Sequence, residues 1–336
     1  MSLAASGSNN AVTDIEGLIV GHYTDLDAVS GVTVVICPEG AVAGVDVRGS
    51  APGTRETDLL DPVNLVERAQ AVVLSGGSVF GLAAADGVVR WLADQGYGFP
   101  VDKGQVVPIV PAAVLYDLGR GQGFIPSVSD EWGVRACRSA KGGTVSMGGI
   151  GAGTGAMSGG IKGGLGTASL VLGSGVTVAS VVAVNSLGSV INPATGRPWE
   201  IGLEVDGEFG HQGKRSVKLP QPPQENPTKN TTIGLVATDA LLTKTQTKKM
   251  AQMAHDGMAR AIRPSHTLFD GDTVFCLATC KRKLPEDPGF FASPQAQAFN
   301  ELAHAAANCM SRAIISGILS ARSLAGMIAF CDLEDR

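Results

Sequence analysis

The sequence predicts a mixed α/β (α+β) fold built on several buried strands and a few helices. Short runs rich in β-branched and apolar residues alternate with turn-forming residues along most of the chain. Charged residues make up only 17% of the 336 residues, whereas hydrophobic residues reach 44% and glycine contributes 45 residues. Such a composition favours buried strands and tight turns over a long-helix or disordered protein.

The first part of the chain is predicted to form an antiparallel meander. Strand-like runs at 18–23, 32–37 and 41–47 are separated by turn-forming residues, among them the Pro-Glu-Gly sequence at 38–40. A helix is then predicted to begin at Asp61, which precedes a proline. This region is therefore expected to supply the first strands of a sheet.

Two arginines follow the meander among small residues. Arg48 and Arg55 could bind a carboxylate through two hydrogen bonds each, because a guanidinium matches the geometry of a carboxylate. They could equally form ion pairs with Asp46 and Glu56, which lie beside them in the sequence. Structural pairing is the favoured interpretation.

A predicted buried strand at 71–75 leads through a glycine turn, 76–78, into a predicted helix at 79–92. Free backbone N–H groups at such a turn can hold an anion. The turn matches neither the dinucleotide-binding motif nor a P-loop, and close contact between helix and strand explains its glycines as well. Neither a nucleotide nor a phosphate cofactor is therefore predicted.

The second half of the chain continues the alternation of strands and helices. Strands are predicted at 167–172, 176–184 and 274–279, and helices at 243–262 and 294–319. The first two strands are joined by Gly-Ser-Gly, a sequence typical of a hairpin turn. The first helix begins with a capping box formed by Thr243 and Gln246, and the second is rich in alanine and best suited to packing.

The charge and cysteine patterns exclude several classes of partner. A net charge of -5 and a pI near 5.6 provide no basic surface for nucleic acid or anionic lipid. The sequence contains neither a secretory signal nor about 18 uninterrupted apolar residues, so no membrane contact and a cytoplasmic location are expected. The six cysteines are dispersed in apolar surroundings, which predicts buried thiols with neither a disulfide framework nor a metal site.

Three polar residues interrupt or follow apolar runs and are candidates for a site. Asn185 ends the second strand of the predicted hairpin, where it would be held rigidly yet remain exposed, although asparagine also suits a turn. Tyr116 lies in the apolar run 108–118, and Lys162 is the only basic side chain within the glycine-rich segment 142–166. Taken alone, Tyr116 suits a core, and Lys162 suits a solvated loop.

A pair of carboxylates precedes the predicted strand at 274–279. Asp270 and Asp272 lie two residues apart, a spacing that suggests a metal site. A calcium or magnesium loop would need a third or fourth carboxylate nearby, and the sequence supplies none. The pair can instead accept hydrogen bonds from an amine and a hydroxyl.

The boundary before Thr231 is the most distinctive feature of the sequence. A polar, proline-rich segment at 220–230 changes abruptly at this hydroxyl residue into an apolar run that predicts a buried strand. One interpretation is a loop that enters a core strand. The other is a chain that cuts itself and leaves Thr231 as a new N-terminus.

Four separated segments together resemble the DmpA-like (P1) peptidase family, which includes β-aminopeptidases, D-aminopeptidases and nylon-oligomer hydrolases. The segments are GVDVRGSAPGTRETDLLDP at 44–62, LSGGSVFGLAAADGV at 74–88, KNTTIGLVATDA at 229–240 and HTLFDGDT at 266–273. The resemblance covers residues 11–330, and the order and spacing of its segments make it more specific than any single motif.

The resemblance implies a self-cleaving precursor. Members of this family cleave themselves into two chains and leave a Ser or Thr at the start of the second. The junction here is most similar to the Thr-type nylon-hydrolase branch, which implies cleavage between Asn230 and Thr231. The products would be an α chain, 1–230, and a β chain, 231–336, within one domain, 1–336. The family also implies a four-layer αββα sandwich and a homotetramer of αβ units.

An N-terminal threonine would carry its own base. A free α-amino group has a reference pKa of about 8, so near neutral pH it can accept the proton of the Thr231 hydroxyl. Before cleavage that nitrogen belongs to an amide. The first reaction must therefore be attack of the Thr231 hydroxyl on the Asn230 carbonyl, giving an ester that water opens.

The resemblance also implies roles for the candidate residues. The functional positions of the nylon-hydrolase branch correspond to Tyr116, Lys162, Asn185, Thr231, Asp270 and Asp272. Thr231 would be the nucleophile, and the two carboxylates would position and polarise its hydroxyl and amine. Lys162 would lower the pKa of the amine through its charge, and Asn185 would donate a hydrogen bond to the oxyanion. Tyr116 would frame the substrate or stabilise the oxyanion.

Three functions follow from these observations. The first is an amide hydrolase with an N-terminal threonine that acts on small peptides with a free amino end or on ω-amino-acid oligomers. The second is an acyltransferase, similar to ornithine acetyltransferases, that passes the acyl group to an amine. The third is a nucleotide-binding or purely structural protein built on the glycine loops, which would remain one 34.3 kDa chain. The first is the favoured hypothesis.

Overall fold

The computed structural model describes residues 5–210, 219–220, 230–286 and 293–333. The proline-rich segment predicted at 220–230 lies outside the described residues except at its two ends.

Most of the strands belong to one large sheet, and three short two-stranded ladders lie outside it. The strands are β1 (Ile19–Asp25), β2 (Ser30–Val47), β3 (Gly53–Arg55), β4 (Arg68–Ser75), β5 (Phe99–Asp102), β6 (Gln105–Val107), β7 (Ala112–Val114), β8 (Met157–Ser158), β9 (Ile161–Lys162), β10 (Gly164–Val171), β11 (Thr177–Val184), β12 (Ile191–Asn192), β13 (Arg197–Pro198), β14 (Ile233–Ala240) and β15 (Thr273–Arg282). The helices are α1 (Ala83–Asp94), α2 (Asp130–Ser139), α3 (Lys244–Ala261) and α4 (Ala296–Leu319).

The order of strands in the large sheet is β10-β11-β14-β15-β2-β4-β7-β3, with β1 also paired to β2. Most neighbours are antiparallel, including the predicted hairpin of β10 and β11. Two pairs are parallel, β4 with β7 and β14 with β15. In the second of these pairs Ile233 lies opposite Thr273, so both strands begin at the same edge of the sheet.

The predicted meander is wrong in one respect, because its strands at 32–37 and 41–47 form one continuous strand, β2. Its pairing with β4 shifts in register between Ile36 and Ala41, so the Pro-Glu-Gly sequence between them bends the strand without reversing it. The first half of β2 pairs with β1 and the second half with β15. This strand therefore belongs to both halves of the sheet.

Three hydrophobic cores divide the protein into four layers. One core packs α3 and α4, with residues such as Ile314, on the outer face of β10, β11, β14 and β15. A middle core joins the inner face of these strands, including Phe275, to residues of β2, β4 and β7 such as Leu74. The third core packs α1 and α2 on the opposite side, where Val88 and Val34 are buried. The predicted αββα sandwich is confirmed.

Some of the predicted helices are present in the structure, and one is absent from the described residues. The capping box of Thr243 and Gln246 starts α3 as predicted, and the helix expected at 79–92 begins as a 3-10 turn, Ser78–Leu82, before α1. The helix expected from Asp61 is absent among the described residues. Val63 and Leu65 are each 87% exposed there, and a helix without a buried face lacks the packing that stabilises it. No described helix has the combined length and apolar character that a membrane span requires.

The cysteines and arginines largely match their predicted roles. All six cysteines are free, four of them buried, one half-buried and one exposed. Arg48 forms the predicted ion pair with Asp46, at 2.8 Å between Nε and Oδ2. Arg55 instead pairs with Asp86 at 2.5 Å, so its predicted pairing with Glu56 is wrong. The carboxylate of Glu56 accepts a backbone N–H 54 residues further along the chain, which local spacing could not indicate.

Helix α4 packs directly on β10 through glycines. A Cβ atom at Gly166 would overlap the carbonyl oxygen of Ala313, so only glycine allows this approach. We expect Gly166→Ala to reduce stability by about 1–3 kcal/mol through overpacking and to lower the melting temperature by several degrees. Gly202→Ala is the matched control, since no atom lies within 4 Å of the added Cβ. Equal melting temperatures for the two variants would contradict the close-packing argument.

Candidate active site

The parallel pairing of β14 and β15 brings two distant segments to one edge of the sheet. Thr231 and Thr232 directly precede β14, and the segment 270–272 directly precedes β15. Asn230 forms a parallel β-bridge with Asp270, and the N–H of Thr273 donates to the carbonyl of Thr232 at 3.2 Å. The threonines and the carboxylate pair therefore lie side by side.

Thr231 is 5% exposed, and its groups are held on three sides. Its hydroxyl donates a hydrogen bond to the carbonyl oxygen of Asn230 and accepts one from the N–H of Gly271 at 3.1 Å. Its own N–H donates to the carbonyl of Asn185 at 2.5 Å. The hydroxyl thus lies beside the carbonyl of the peptide bond that precedes it.

The two carboxylates bind different partners. Asp272 accepts the N–H of Thr232 on Oδ1 at 2.7 Å, and on Oδ2 the backbone N–H and Nδ1 of His266 at 3.1 and 2.7 Å. Asp270 accepts the N–H and the hydroxyl of Thr267 on Oδ2, at 2.8 and 2.6 Å. Burial raises the pKa of Asp270, and the neighbouring charge of Asp272 raises it further. The pair therefore combines one carboxylate that accepts three hydrogen bonds with one whose pKa is raised.

The first of the four resembling segments fixes the backbone of this carboxylate pair. The N–H groups of Arg48 and Gly49 donate to the carbonyl of Asp272 at 3.0 and 3.1 Å, and that of Ala51 donates to the carbonyl of Asp270 at 2.9 Å. A Cβ atom at Gly49 would overlap the carbonyl oxygen of Asp270 and the peptide group between Gly271 and Asp272. The glycine is needed because the two backbones touch.

Asn185 is fully buried and links three parts of the site. Its Oδ1 accepts hydrogen bonds from Nη1 of Arg120 at 2.9 Å and from the N–H of Met157 at 3.0 Å. Its Nδ2 donates to the backbone carbonyl of Tyr116 at 3.1 Å. The backbone carbonyl of Asn185 also accepts the N–H of Thr231. These hydrogen bonds connect the predicted residues Tyr116 and Asn185 to the threonine.

Arg120 belongs to this network, although it was not among the residues predicted for the site. Its Nη1 donates to the carbonyl of Gly155 as well as to Asn185. Burial lowers its pKa to about 10, while the charge of Asp117 acts in the opposite direction. In the sequence Arg120 is marked only by its place between two glycines, four residues after Tyr116.

The second resembling segment holds Asp117. This buried carboxylate accepts the N–H of Gly77 at 2.6 Å and the hydroxyl of Ser30 at 2.7 Å, and burial raises its pKa. A Cβ atom at Gly76 would overlap the same carboxylate. Close packing therefore explains these glycines, and the Gly77 N–H that an anion would need is already bonded.

Lys162 is fully buried beneath the glycine-rich segment. Its Nζ donates to the carbonyls of Gly153, Ala156 and Gly163 at 2.9, 3.2 and 2.8 Å. Burial lowers its pKa to about 7, and the charge of Arg120 lowers it further. No hydrogen bond joins Lys162 to Thr231, both of which are described. Its contact with the site runs through the segment that also carries Gly155 and Met157.

The described residues contain no group of three or more His, Cys, Asp or Glu side chains that could hold a metal ion. Both carboxylate oxygens of Asp272 and Oδ2 of Asp270 accept hydrogen bonds from N–H or O–H donors. The site is therefore an arrangement of a hydroxyl, backbone N–H groups, two carboxylates and two cations, of which Lys162 is buried and Arg120 half-buried.

The chain is similar to proteins with related activities. An uncharacterized aminopeptidase of Mycobacterium bovis is 46% identical over 341 residues, which covers 96% of this chain and 98% of that protein. A 6-aminohexanoate-oligomer endohydrolase of Kocuria sp. is 29% identical over 298 residues, covering 85% of this chain and 79% of that protein.

Solved structures share the fold. A β-aminopeptidase of Burkholderia sp. has a TM-score of 0.72 at 24% identity and covers 98% of this chain and 92% of its own. The L-aminopeptidase D-Ala-esterase/amidase of Ochrobactrum anthropi, described as a variant of the Ntn hydrolase fold, has a TM-score of 0.71 at 22% identity, with 96% and 90% covered.

The model of peptidase family S58 matches residues 10–329, nearly the whole described chain. This match agrees with the layered fold and with the aminopeptidase and endohydrolase relatives. The chain belongs to peptidase family S58 and is a hydrolase of peptide or amide bonds.

Proposed function

We propose that this amide hydrolase matures by cutting its own chain before Thr231 and then uses that threonine as its nucleophile. The observation that carries the proposal is the Thr231 hydroxyl, which is buried and hydrogen-bonded to the carbonyl of Asn230. A reacting pair must be held within about 3–3.5 Å in a suitable orientation. The adjacent groups of Asn230 and Thr231, held directly before β14, satisfy the condition on distance.

Maturation would proceed by an acyl shift from nitrogen to oxygen. The Thr231 Oγ1 attacks the carbonyl carbon of Asn230, the C–N bond breaks, and the hydroxyl proton passes to the Thr231 nitrogen. Water then hydrolyses the ester and leaves a carboxylate on Asn230. The N–H of Gly271 donates to Oγ1 and holds this oxygen in place, while the negative charge of the tetrahedral intermediate develops on the carbonyl oxygen of Asn230.

The mature site would use the new amine as its base. The amine takes the proton of the hydroxyl as Oγ1 attacks the substrate carbonyl, the amine product leaves with a proton, and water releases the acyl group from the enzyme. The carbonyl of Asn185, which now accepts the Thr231 N–H, orients this nitrogen. Oδ1 of Asp270 is buried without a hydrogen bond to a described residue and supplies a further acceptor near the strand edge.

The substrate we propose is a small peptide with a free amino end or an oligomer of an ω-amino acid. The relatives support both classes, since they include an aminopeptidase, a β-aminopeptidase and a 6-aminohexanoate-oligomer endohydrolase. A panel of L-aminoacyl, D-aminoacyl and β-aminoacyl p-nitroanilides with a 6-aminohexanoate oligomer distinguishes them. The product formed from the acyl group in the presence of a competing amine, free acid or new amide, separates hydrolysis from acyl transfer.

The decisive experiment is a denaturing gel of the active protein with N-terminal sequencing of the smaller fragment. We expect a fragment that begins with the sequence TTIGLV at Thr231 and a larger fragment that ends at Asn230. A single 34.3 kDa band in fully active enzyme would overturn the proposal. The tetramer of αβ units and the cytoplasmic location stay predictions, of which the first is tested by sedimentation of the mature protein.

A further inference from the structure

His266 is bonded to the site more closely than its place in the sequence indicates. Its Nδ1 lies 2.7 Å from Oδ2 of Asp272, and its backbone N–H donates to the same oxygen at 3.1 Å. The residue has a φ of 55°, a left-handed conformation that non-glycine residues seldom adopt. The imidazole therefore reaches the carboxylate from a backbone conformation that is unfavourable for most residues.

The partners of the imidazole determine which nitrogen carries the proton. An ionised carboxylate only accepts hydrogen bonds, so Nδ1 of His266 must be the donor to Asp272. The other nitrogen, Nε2, is buried and makes no hydrogen bond to any residue that the structure describes. The imidazole ring therefore contacts Asp272 through one N–H group, at Nδ1, and this hydrogen bond requires no charge on the ring.

Among the described residues, the ring of His255 lies beside His266 and makes no hydrogen bond to Asp272. The ring of His255 packs against His266 edge to face, with 4.9 Å between centroids. Burial lowers the pKa of His255 to about 4, so that ring is neutral near pH 7, and its Nε2 bonds the carbonyl of Asp46 at 3.1 Å. The charges of Asp46 and Arg48 act on His255 and pair with each other, and Asp270 is the charged neighbour of Asp272.

We propose that His266 is a positioning residue that fixes the rotation of the Asp272 carboxylate. With Oδ2 held by His266, Oδ1 stays on the N–H of Thr232, at 2.7 Å. That N–H belongs to the peptide group that follows Thr231, so the carboxylate sets the orientation of the nucleophile at its C-terminal side. Without the imidazole only the backbone N–H of residue 266 holds Oδ2, so the carboxylate rotates more freely and the peptide group that follows Thr231 is held less firmly.

The inference rests on the proposed function and is tested by two substitutions that differ in one donor. Glycine and asparagine both tolerate the left-handed conformation at position 266, but only asparagine offers a side-chain N–H near the position of Nδ1. We expect His266→Gly to lower kcat by about tenfold to a hundredfold, the range for a slightly misplaced reacting group, with KM within about twofold. We expect His266→Asn to recover most of that loss.

The measurements are kcat and KM on a p-nitroanilide that the wild-type enzyme hydrolyses, with melting temperatures and gels of all three proteins. Equal kcat for His266→Gly and wild type would overturn the inference, and so would an asparagine variant no faster than the glycine variant at equal melting temperature. A wild-type protein that is not cut before Thr231 overturns the proposed function instead. The gel therefore distinguishes the two failures.

Discussion

Thr231→Ala is expected to remain a single 34.3 kDa chain and to show no hydrolysis above background. The alanine lacks the hydroxyl that lies beside the Asn230 carbonyl, so neither the ester of maturation nor the acyl-enzyme can form. Loss of a nucleophile in hydrolases that work through a triad costs about 10⁶ in kcat, and a comparable loss is expected here. Denaturing gels and p-nitroaniline release measure the two effects separately.

The neighbouring threonine supplies a matched control. Thr232 is fully buried, and its hydroxyl makes no hydrogen bond to a described residue. We expect Thr232→Val, which has almost the same shape, to be cut and to hydrolyse substrate at near the wild-type rate. Thr231→Ser should retain part of both activities, because it keeps the hydroxyl. If Thr232→Val remained uncut, or if Thr231→Ala were cut, the assignment of Thr231 as the nucleophile would be wrong.

Lys162→Met is expected to lower kcat/KM by about a hundredfold, the cost of misplacing a reacting centre by about 1 Å. The ammonium group holds the carbonyls of Gly153, Ala156 and Gly163, and the same segment carries the Met157 N–H that bonds Asn185. Methionine fills the volume but leaves three buried carbonyls without their donor. We therefore expect Lys162 to act on the site through the segment whose Met157 N–H bonds Asn185.

The same substitution has a signature in the pH dependence of stability. Burial lowers the pKa of Lys162 from 10.5 to about 7, so the folded protein releases this proton near pH 7 while the unfolded chain keeps it to about pH 10.5. Between these values the unfolded state binds more protons, and the contribution of Lys162 to stability rises with pH. Below pH 7 both states are protonated, and the contribution is constant.

Urea unfolding at pH 7 and pH 9.5 measures this contribution. The parent protein and the Lys162→Met variant should both carry Thr231→Ala, so that each unfolds as one chain. We expect the added Lys162→Met to remove an increase in stability that the parent shows between the two pH values. Lys281→Met is the control, because that exposed lysine pairs with Glu39 and its pKa is raised. An unchanged pH dependence in the Lys162→Met protein would contradict the burial argument.

The elements that sequence could predict are those with a local signal. Strand β11 carries eight successive buried residues, and α3 begins with a capping box that a few neighbouring residues define. The bend in β2 is different. Whether Pro38 and Gly40 reverse a strand or only shift its register depends on its partners β1, β4 and β15, which come from distant parts of the chain.

The candidate site shows the same division. Thr231 and the pair Asp270 and Asp272 could be selected because each lies at the start of an apolar run, and the parallel pairing of β14 and β15 then brings them together. Arg120 and His266 carry no such local pattern. Their importance depends on what they touch, Asn185 and Asp272, and sequence distance does not reveal those contacts.

The central position of β14 and β15 has a consequence for the lifetime of the mature enzyme. Strand β14 is flanked by β11, and β15 by β2, and both neighbours would belong to the larger fragment after the cut. Dissociation would expose two ladders and the cores on both faces of the sheet. We therefore expect the severed fragments to resist dilution, to exchange no partners between molecules and to turn over together as a single protein.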